Sequence, residues 1–137
     1  MPDFSQAAAD IASEFNTQFS ALSPTYDIAW ENVDFTPADG EPWVRLTINE
    51  GEAFIGAIGG GKNTYRHPGT VIVQVFTPTN IGYGKARSIA DDVASIFRGK
   101  RISGVRFLSA PYINRVGPDG DWYQLNVICP FEYDLNI

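Results

Sequence analysis

Apolar residues at Phe4, Ala8, Ile11, Phe15, Phe19 and Leu22 fall at steps of three and four, with Asp10, Ser13, Glu14 and Gln18 between them. That spacing predicts an amphipathic helix over residues 3–21. Asp3 is placed to accept from the free N–H groups of its first turn, and Pro24 disfavours helix at Ser23 and so ends it. From Tyr26 the period changes. Short β-type runs are expected at Tyr26 to Glu31 and, after the turn-rich residues 36–42, at Trp43 to Asn49. In the second run Val44, Leu46 and Ile48 point one way and Arg45 and Thr47 the other.

Residues 51–69 lack a clear period and contain five glycines before His67. Their apolar centre, Phe54-Ile55-Gly56-Ala57-Ile58, reads as part of a long, partly ordered glycine-rich hairpin or arm. Thr70 to Thr77 is β-branched and apolar on both faces except at Gln74, the pattern of a central strand, which Pro78 ends. A second helix fits Tyr83 to Phe97, with Ala86, Ile89, Ala90, Val93, Ile96 and Phe97 as its apolar stripe and Gly99 as its stop. Two closing strands, Val105 to Leu108 and Trp122 to Ile128, are expected on either side of a turn-rich segment holding Pro111, Gly117-Pro118 and Asp119-Gly120. Helix, strands, helix, strands with short connections predicts an α+β two-layer sandwich: a mostly antiparallel sheet with both helices packed on one face.

Size and charge narrow the function. At 137 residues and 44% hydrophobic content, the chain is expected to form one domain, 1–137, with a real core. Its formal charge of −6 argues against a surface that clamps a phosphate backbone. No secretory signal pattern or bilayer-length apolar run is present, so the expectation is a soluble chain made in a cytoplasm. The lone Cys129 has no cysteine partner and no ligand-spaced His, and reads as a small buried apolar residue.

Candidate chemistry is sparse. Gly56 to Asn63 is one residue short of a phosphate-binding loop, since Asn63 stands where Ser or Thr would hold magnesium. Pro68 and Gly69 also forbid the helix that must follow such a loop, so a structural loop is expected and no cofactor site. His67, the only histidine, sits beside Pro68 with no catalytic company, and reads as part of a turn that orients the arm. Glu31 and Asp34, Asp91 and Asp92, and Asp119 and Asp121 are the near acidic pairs. They read as solvated surface or turn chemistry; no metal site or catalytic residue is expected among them. Lys100-Arg101 with Arg98 and Arg106, and Lys62 with Arg66, are small basic clusters suited to acidic groups on another subunit or partner. Trp30, Trp43 and Trp122 sit beside turns, where each ring can pack inward and still wet its N–H.

Three segments carry a family resemblance. Trp30-Glu31-Asn32-Val33-Asp34-Phe35-Thr36-Pro37 runs into Gly40-Glu41-Pro42-Trp43-Val44-Arg45-Leu46. His67-Pro68-Gly69 opens a strand that closes on Phe76-Thr77-Pro78, and Trp122-Tyr123-Gln124 leads into Cys129-Pro130-Phe131. Their order and spacing, over residues 1 to about 133, resemble the tail terminators of long-tailed phages.

The resemblance implies a non-enzymatic virion protein of the same α+β architecture. It implies a homo-oligomer, a hexameric ring, capping the head-proximal end of the tail tube in the neck, with the tail tube protein and the head-tail connector proteins as partners. A head-tail connector or tail-completion protein is the neighbouring alternative, and a small nucleotide-dependent enzyme using the glycine-rich loop is the remote one. A ring of acidic subunits suits DNA passing through the lumen without specific binding. Phe54, Ile55, Lys62, Arg66, Arg98 and Arg101 are the residues expected at a subunit or tube interface. Trp43, Ile72, Phe76 and Ile128 form a semi-apolar second face that neighbours would cover.

Overall fold

The computed structural model describes residues 3–137; Met1 and Pro2, part of the span expected to form one domain, lie outside the described residues. The elements run α1 (Phe4–Ser20), β1 (Asp27–Ala29), β2 (Trp43–Glu50), β3 (Phe54–Ile58), β4 (Asn63–Pro78), α2 (Gly84–Phe97), β5 (Arg101–Ile102), β6 (Val105–Arg106), β7 (Tyr112–Asp119) and β8 (Trp122–Asn136). They make an α+β sandwich, with an eight-stranded sheet ordered β1-β2-β4-β8-β6-β5. Among the described residues only β1 and β2 pair in parallel.

The sheet is built on one ribbon. β4 and β8 pair antiparallel from Thr64↔Asn136 to Pro78↔Trp122 with no register shift. Along the outer side of β4 lie first β3 and then β2; along the outer side of β8 lie β6 and β7. Odd-numbered residues of the ribbon turn toward the helices, so Val71, Val73 and Val75 sit beside Cys129, Val127 and Leu125, all fully buried or nearly so. Val44 and Leu46 of β2 extend the same rows. Burying each such aliphatic side chain is worth roughly 1.5–3 kcal/mol.

Both helices close this face. Asp3 caps α1 as expected, its carboxylate accepting from the Gln6 N–H at 2.8 Å. The stripe Ala7, Ile11, Phe15 and Phe19 is buried. Phe15 stacks on Phe19 at 5.1 Å and on Phe97 of α2 at 5.8 Å, which locks the helices together over the sheet. Phe4, expected in the stripe, is instead exposed and leans edge-on against His67 at 5.5 Å. α2 starts one residue after Tyr83 and ends ahead of Gly99, whose φ of 66° suits a residue without Cβ.

Four expectations are corrected. The segment between the closing strands is not a long turn: residues 112–119 form β7, which pairs with β8 and reaches a tight turn at Gly120. Its Pro and Gly residues are tolerated because β7 is an edge strand, where one side of the backbone carries no ladder. The expected strand 105–108 shrinks to β6, while β8 continues eight residues past Ile128 to Asn136.

His67-Pro68-Gly69 is likewise not a turn but lies inside β4. Its effect falls on the neighbouring strand. Glu50 pairs with Gly69 and Phe54 with Arg66, so the partner strand holds one extra residue across the interval. The Pro68 carbonyl still accepts from the Gly51 N–H at 2.8 Å, but proline offers no N–H on that side to hold the next residue. The ladder breaks there, and what would be one long strand becomes β2 and β3.

Gly69 is fixed by its neighbours. A Cβ there would lie 2.5 Å from the Phe131 ring and 2.7 Å from the Asn49 carbonyl oxygen. Gly69→Ala is expected to destabilise the fold by roughly 1–3 kcal/mol through overpacking. Gly60→Ala, whose Cβ meets nothing within 4 Å, is expected to leave the urea midpoint within error of wild type.

Candidate interaction surface

Among the described residues, no helix covers the second face of the sheet. Even-numbered residues of the ribbon point to it: Arg66, Ile72, Gln74 and Phe76 from β4, and Gln124, Asn126, Ile128, Glu132 and Asp134 from β8. The face is graded from end to end. Beside the start of β4, Arg66 Nε donates to Asp134 Oδ1 at 2.9 Å, and Arg106 Nη2 reaches Asp134 Oδ1 and Glu132 Oε1, both at 3.2 Å. The hydrogen bond from Arg66, joined by that from Arg106, holds the Asp134 carboxyl below the usual carboxylate range against a smaller opposing effect of burial. Midway, Ile72 pairs with Ile128 and Gln74 with Asn126.

Toward the end of β4 the face becomes aromatic. Trp43 stacks on Phe76 at 4.0 Å, meets Trp122 edge-on at 5.9 Å and is covered by Phe35 at 5.0 Å, with the Arg45 guanidinium 5.3 Å from its ring centre. Trp43 was expected to keep its N–H wet and to wait for a neighbouring subunit. Instead it is 6% exposed, and its Nε1 is buried with no partner, because the loop from Asn32 to Pro42 folds Phe35 back over it. Ile72, Phe76 and Ile128 remain half-buried on the open face.

The residues expected at an interface fall into two groups. Phe54 and Ile55 lie on β3, and Lys62 at the hairpin tip, all exposed; Arg66 pairs with Phe54 on the adjacent strand. These four sit on the β4 flank. Arg98 and Arg101 are also exposed but belong to the end of α2 and to β5, on the β8 flank. No single patch holds both groups. Within the two expected basic clusters, Arg66 and Arg106 spend their charge inside the chain on Asp134 and Glu132. The acidic partners were the part the sequence reading missed. Alternation of Phe131 and Tyr133, buried, with Glu132 and Asp134 was the signal that β8 ran on.

Groups with chemical potential are held structurally. His67 is buried and stacks on Tyr133 at 5.0 Å, while the Tyr133 hydroxyl donates to Glu50 Oε2 at 2.8 Å. Burial first, then the Glu50 carboxylate, raises the Tyr133 hydroxyl well above the ordinary tyrosine range. The glycine-rich run from Gly56 to Asn63 spans the end of β3 and the hairpin turn, and strand β4 follows it, where a phosphate loop would have a helix. A groove of about 580 Å³ between the start of α2 and the β7–β8 turn includes Tyr83, Arg115, Pro118 and Tyr123; Arg115 is its one charged lining residue. Among the described residues no group of three His, Cys, Asp or Glu side chains is placed to hold a metal ion, and no helix is long and apolar enough to cross a membrane.

The described residues form a two-layer α+β domain with one sheet face left uncovered by helices and an exposed hairpin arm. A family profile described as phage tail terminator protein matches residues 10–131. The chain therefore belongs to the phage tail terminator family, a family of structural virion proteins of the phage tail. Comparison with curated proteins gives no match. One of the solved structures that match superposes with a TM-score of 0.68 at 19% identity, over 93% of this chain and 96% of the other. At that identity the likeness is one of fold.

Two outcomes test this description. Asp134 has a lowered folded-state pKa, so its contribution to stability is fully present above the ordinary carboxylate value of 3.8 and is lost as pH falls through the folded value. Asp134→Asn is expected to lower the melting temperature at pH 7, and the gap from wild type is expected to close as pH drops below that range. Burial pushes the Cys129 thiol up to about 12. A thiol reagent at pH 8 is expected to label no cysteine in the folded chain and one in denaturant.

Proposed function

We propose that the chain closes into a six-membered ring on the head-proximal end of a finished tail tube, in the neck of the virion. The ring stops tube growth and gives the head-tail connector a surface to dock on. The observation that carries this reading is the arm. Phe54, Ile55 and Ile58 are 53%, 51% and 84% exposed on a β-hairpin that continues the central ribbon, which is an arrangement for contact with another chain.

A terminator has no need of reacting groups. It needs a rigid subunit, a head-to-tail contact that closes under rotation, and two unlike ring faces for two unlike partners. The unbroken β4–β8 ladder supports the first requirement, and the charged-to-aromatic gradient of the open sheet face supports the last. On this reading Phe54, Ile55 and Lys62 meet a neighbouring subunit or the tube, and Arg98 and Arg101 form a separate contact on the other flank. Six copies at −6 each carry about −36, which suits a lumen that DNA slides past without sticking.

Deleting residues 52–63 tests the role of the arm. The Gly51 to Pro68 hydrogen bond leaves a short connection that can still close the β2–β4 hairpin. The expected outcome is a folded chain that no longer forms hexamers by native mass spectrometry, with or without tail tube protein, and tails of uncontrolled length. A deletion variant that still closes rings and yields tails of normal length would remove the arm from the mechanism.

A further inference from the structure

Two surface features stand at the same end of the ribbon, on opposite flanks. The loop after β1 turns at Asn32, which has a φ of 59°, and the Val33 N–H donates to the Trp30 carbonyl at 3.3 Å. Val33 is left 61% exposed between the exposed carboxylates of Glu31 and Asp34. On the other flank, the groove between the start of α2 and the β7–β8 turn presents Tyr83, Tyr123 and Pro118 around Arg115, and the Arg87 guanidinium lies over the Tyr83 ring, 5.4 Å from its centre. An apolar side chain between two acids matches an aromatic groove with two cations. Among the described residues, none of Glu31, Asp34, Arg87 and Arg115 takes part in an ion pair within the chain.

We infer that residues 31–34 of one copy of this chain seat in that groove on a second copy, with Val33 against the tyrosines and with Glu31 and Asp34 facing Arg87 and Arg115. The inference rests on the ring-forming reading above and names the two surfaces that meet at each step around the ring. Because the surfaces are unlike and lie on opposite flanks, their union is head-to-tail and leaves one loop and one groove free for the next copies.

Placement supports the contact. The loop lies beside Arg45 and Thr47, which pair with Gln74 and Ile72, while Arg115 and Pro118 lie beside Leu125 and Tyr123, which pair with Val75 and Thr77. The two surfaces therefore differ by about three residues along the ribbon, roughly 10 Å at ~3.3 Å per residue, a gap that two long side chains can span. Arg45 and Thr47 belong to the second face and Leu125 to the helix-covered face, so loop and groove look in opposite directions. One margin of each copy can then overlap the opposite margin of the next, as tiles do. Nearby charges leave the match intact: Arg45 lies over the Trp43 ring, and Asp119 pairs with Trp122 on the second face, away from the groove; Asp121 stands in the turn beyond it. Charge also selects against self-pairing, since two loops would set carboxylates together and two grooves would set guanidiniums together.

The test uses full-length chains with one surface reversed in charge. A loop variant carries Glu31→Arg and Asp34→Arg, and a groove variant carries Arg87→Glu and Arg115→Glu; all four side chains are exposed, and unchanged melting temperatures check folding. Where a double variant melts early, Asp34→Arg or Arg115→Glu alone replaces it. Native mass spectrometry is run on wild type, each variant, and a 1:1 mixture of the two variants, all with and without tail tube protein. The expected result is a hexamer for wild type and monomers for each variant, because each variant sets like charges at every contact. The mixture is expected to restore a hexamer with three copies of each variant, since a reversed loop fits only a reversed groove and the two kinds must alternate. Either variant closing rings by itself, or a mixture that stays monomeric, would overturn this contact and leave the ring standing. A wild type that stays monomeric with and without the tube protein would overturn the ring reading itself, and the contact with it.

Discussion

The antiparallel pairing of β4 with β8 is the constraint from which the other features follow. Its register puts every odd residue of both strands on one face and every even residue on the other, so a slip of β4 by one against β8 would send Val71, Val73 and Val75 into solvent and bring Arg66 under the helices. The cost of that exchange pins the register. Once it is set, β2, β3, β6 and β7 have nowhere to attach except along the two outer sides of the ribbon, and α1 and α2 pack on the one face that is apolar throughout.

Proline and glycine act here by position more than by type. Pro68 lies in the longest strand of the sheet and is tolerated because its missing N–H falls where the neighbouring strand bulges. Gly69 follows because the ring of Phe131 occupies the space its side chain would need. Together they divide what precedes β4 into a buried part, β2, and an exposed part, β3. The arm is thus a local consequence of two adjacent residues whose neighbours are supplied by strands distant in the chain.

The polar groups show the same economy. Arg66, Arg106, Glu132 and Asp134 come from three strands and neutralise one another on the open face, where isolated charges would otherwise resist coverage by another chain. The aromatic end of that face is half closed already, by Phe35 over Trp43. What stays open is the outer margin of the sheet, β3 on one flank and β7 on the other, with exposed apolar side chains on both. The family assignment gives the chain a place in the phage tail.

The sequence by itself determined whatever depends on neighbours a few residues away. Helical period, the Asp3 cap, the Pro24 and Gly99 stops and the β-branched run of β4 were all legible, and with them the α+β class and, through three aromatic and proline-rich segments, the family. The lack of a clear period around Phe54, Ile55 and Lys62 marked an arm, and the structure leaves all three exposed. Tertiary structure decided whatever depends on a partner far along the chain. Residues 112–119 look like turn material until β8 lies beside them; His67 to Gly69 look like a corner until Tyr133 and Phe131 stack on them; Arg66 looks free until Asp134 arrives from 68 residues away. Backbone hydrogen bonds and ion pairs between distant segments leave little periodic trace in either segment alone, and so the closing strands, the buried Trp43 and the two open edges emerged only once the sheet was assembled.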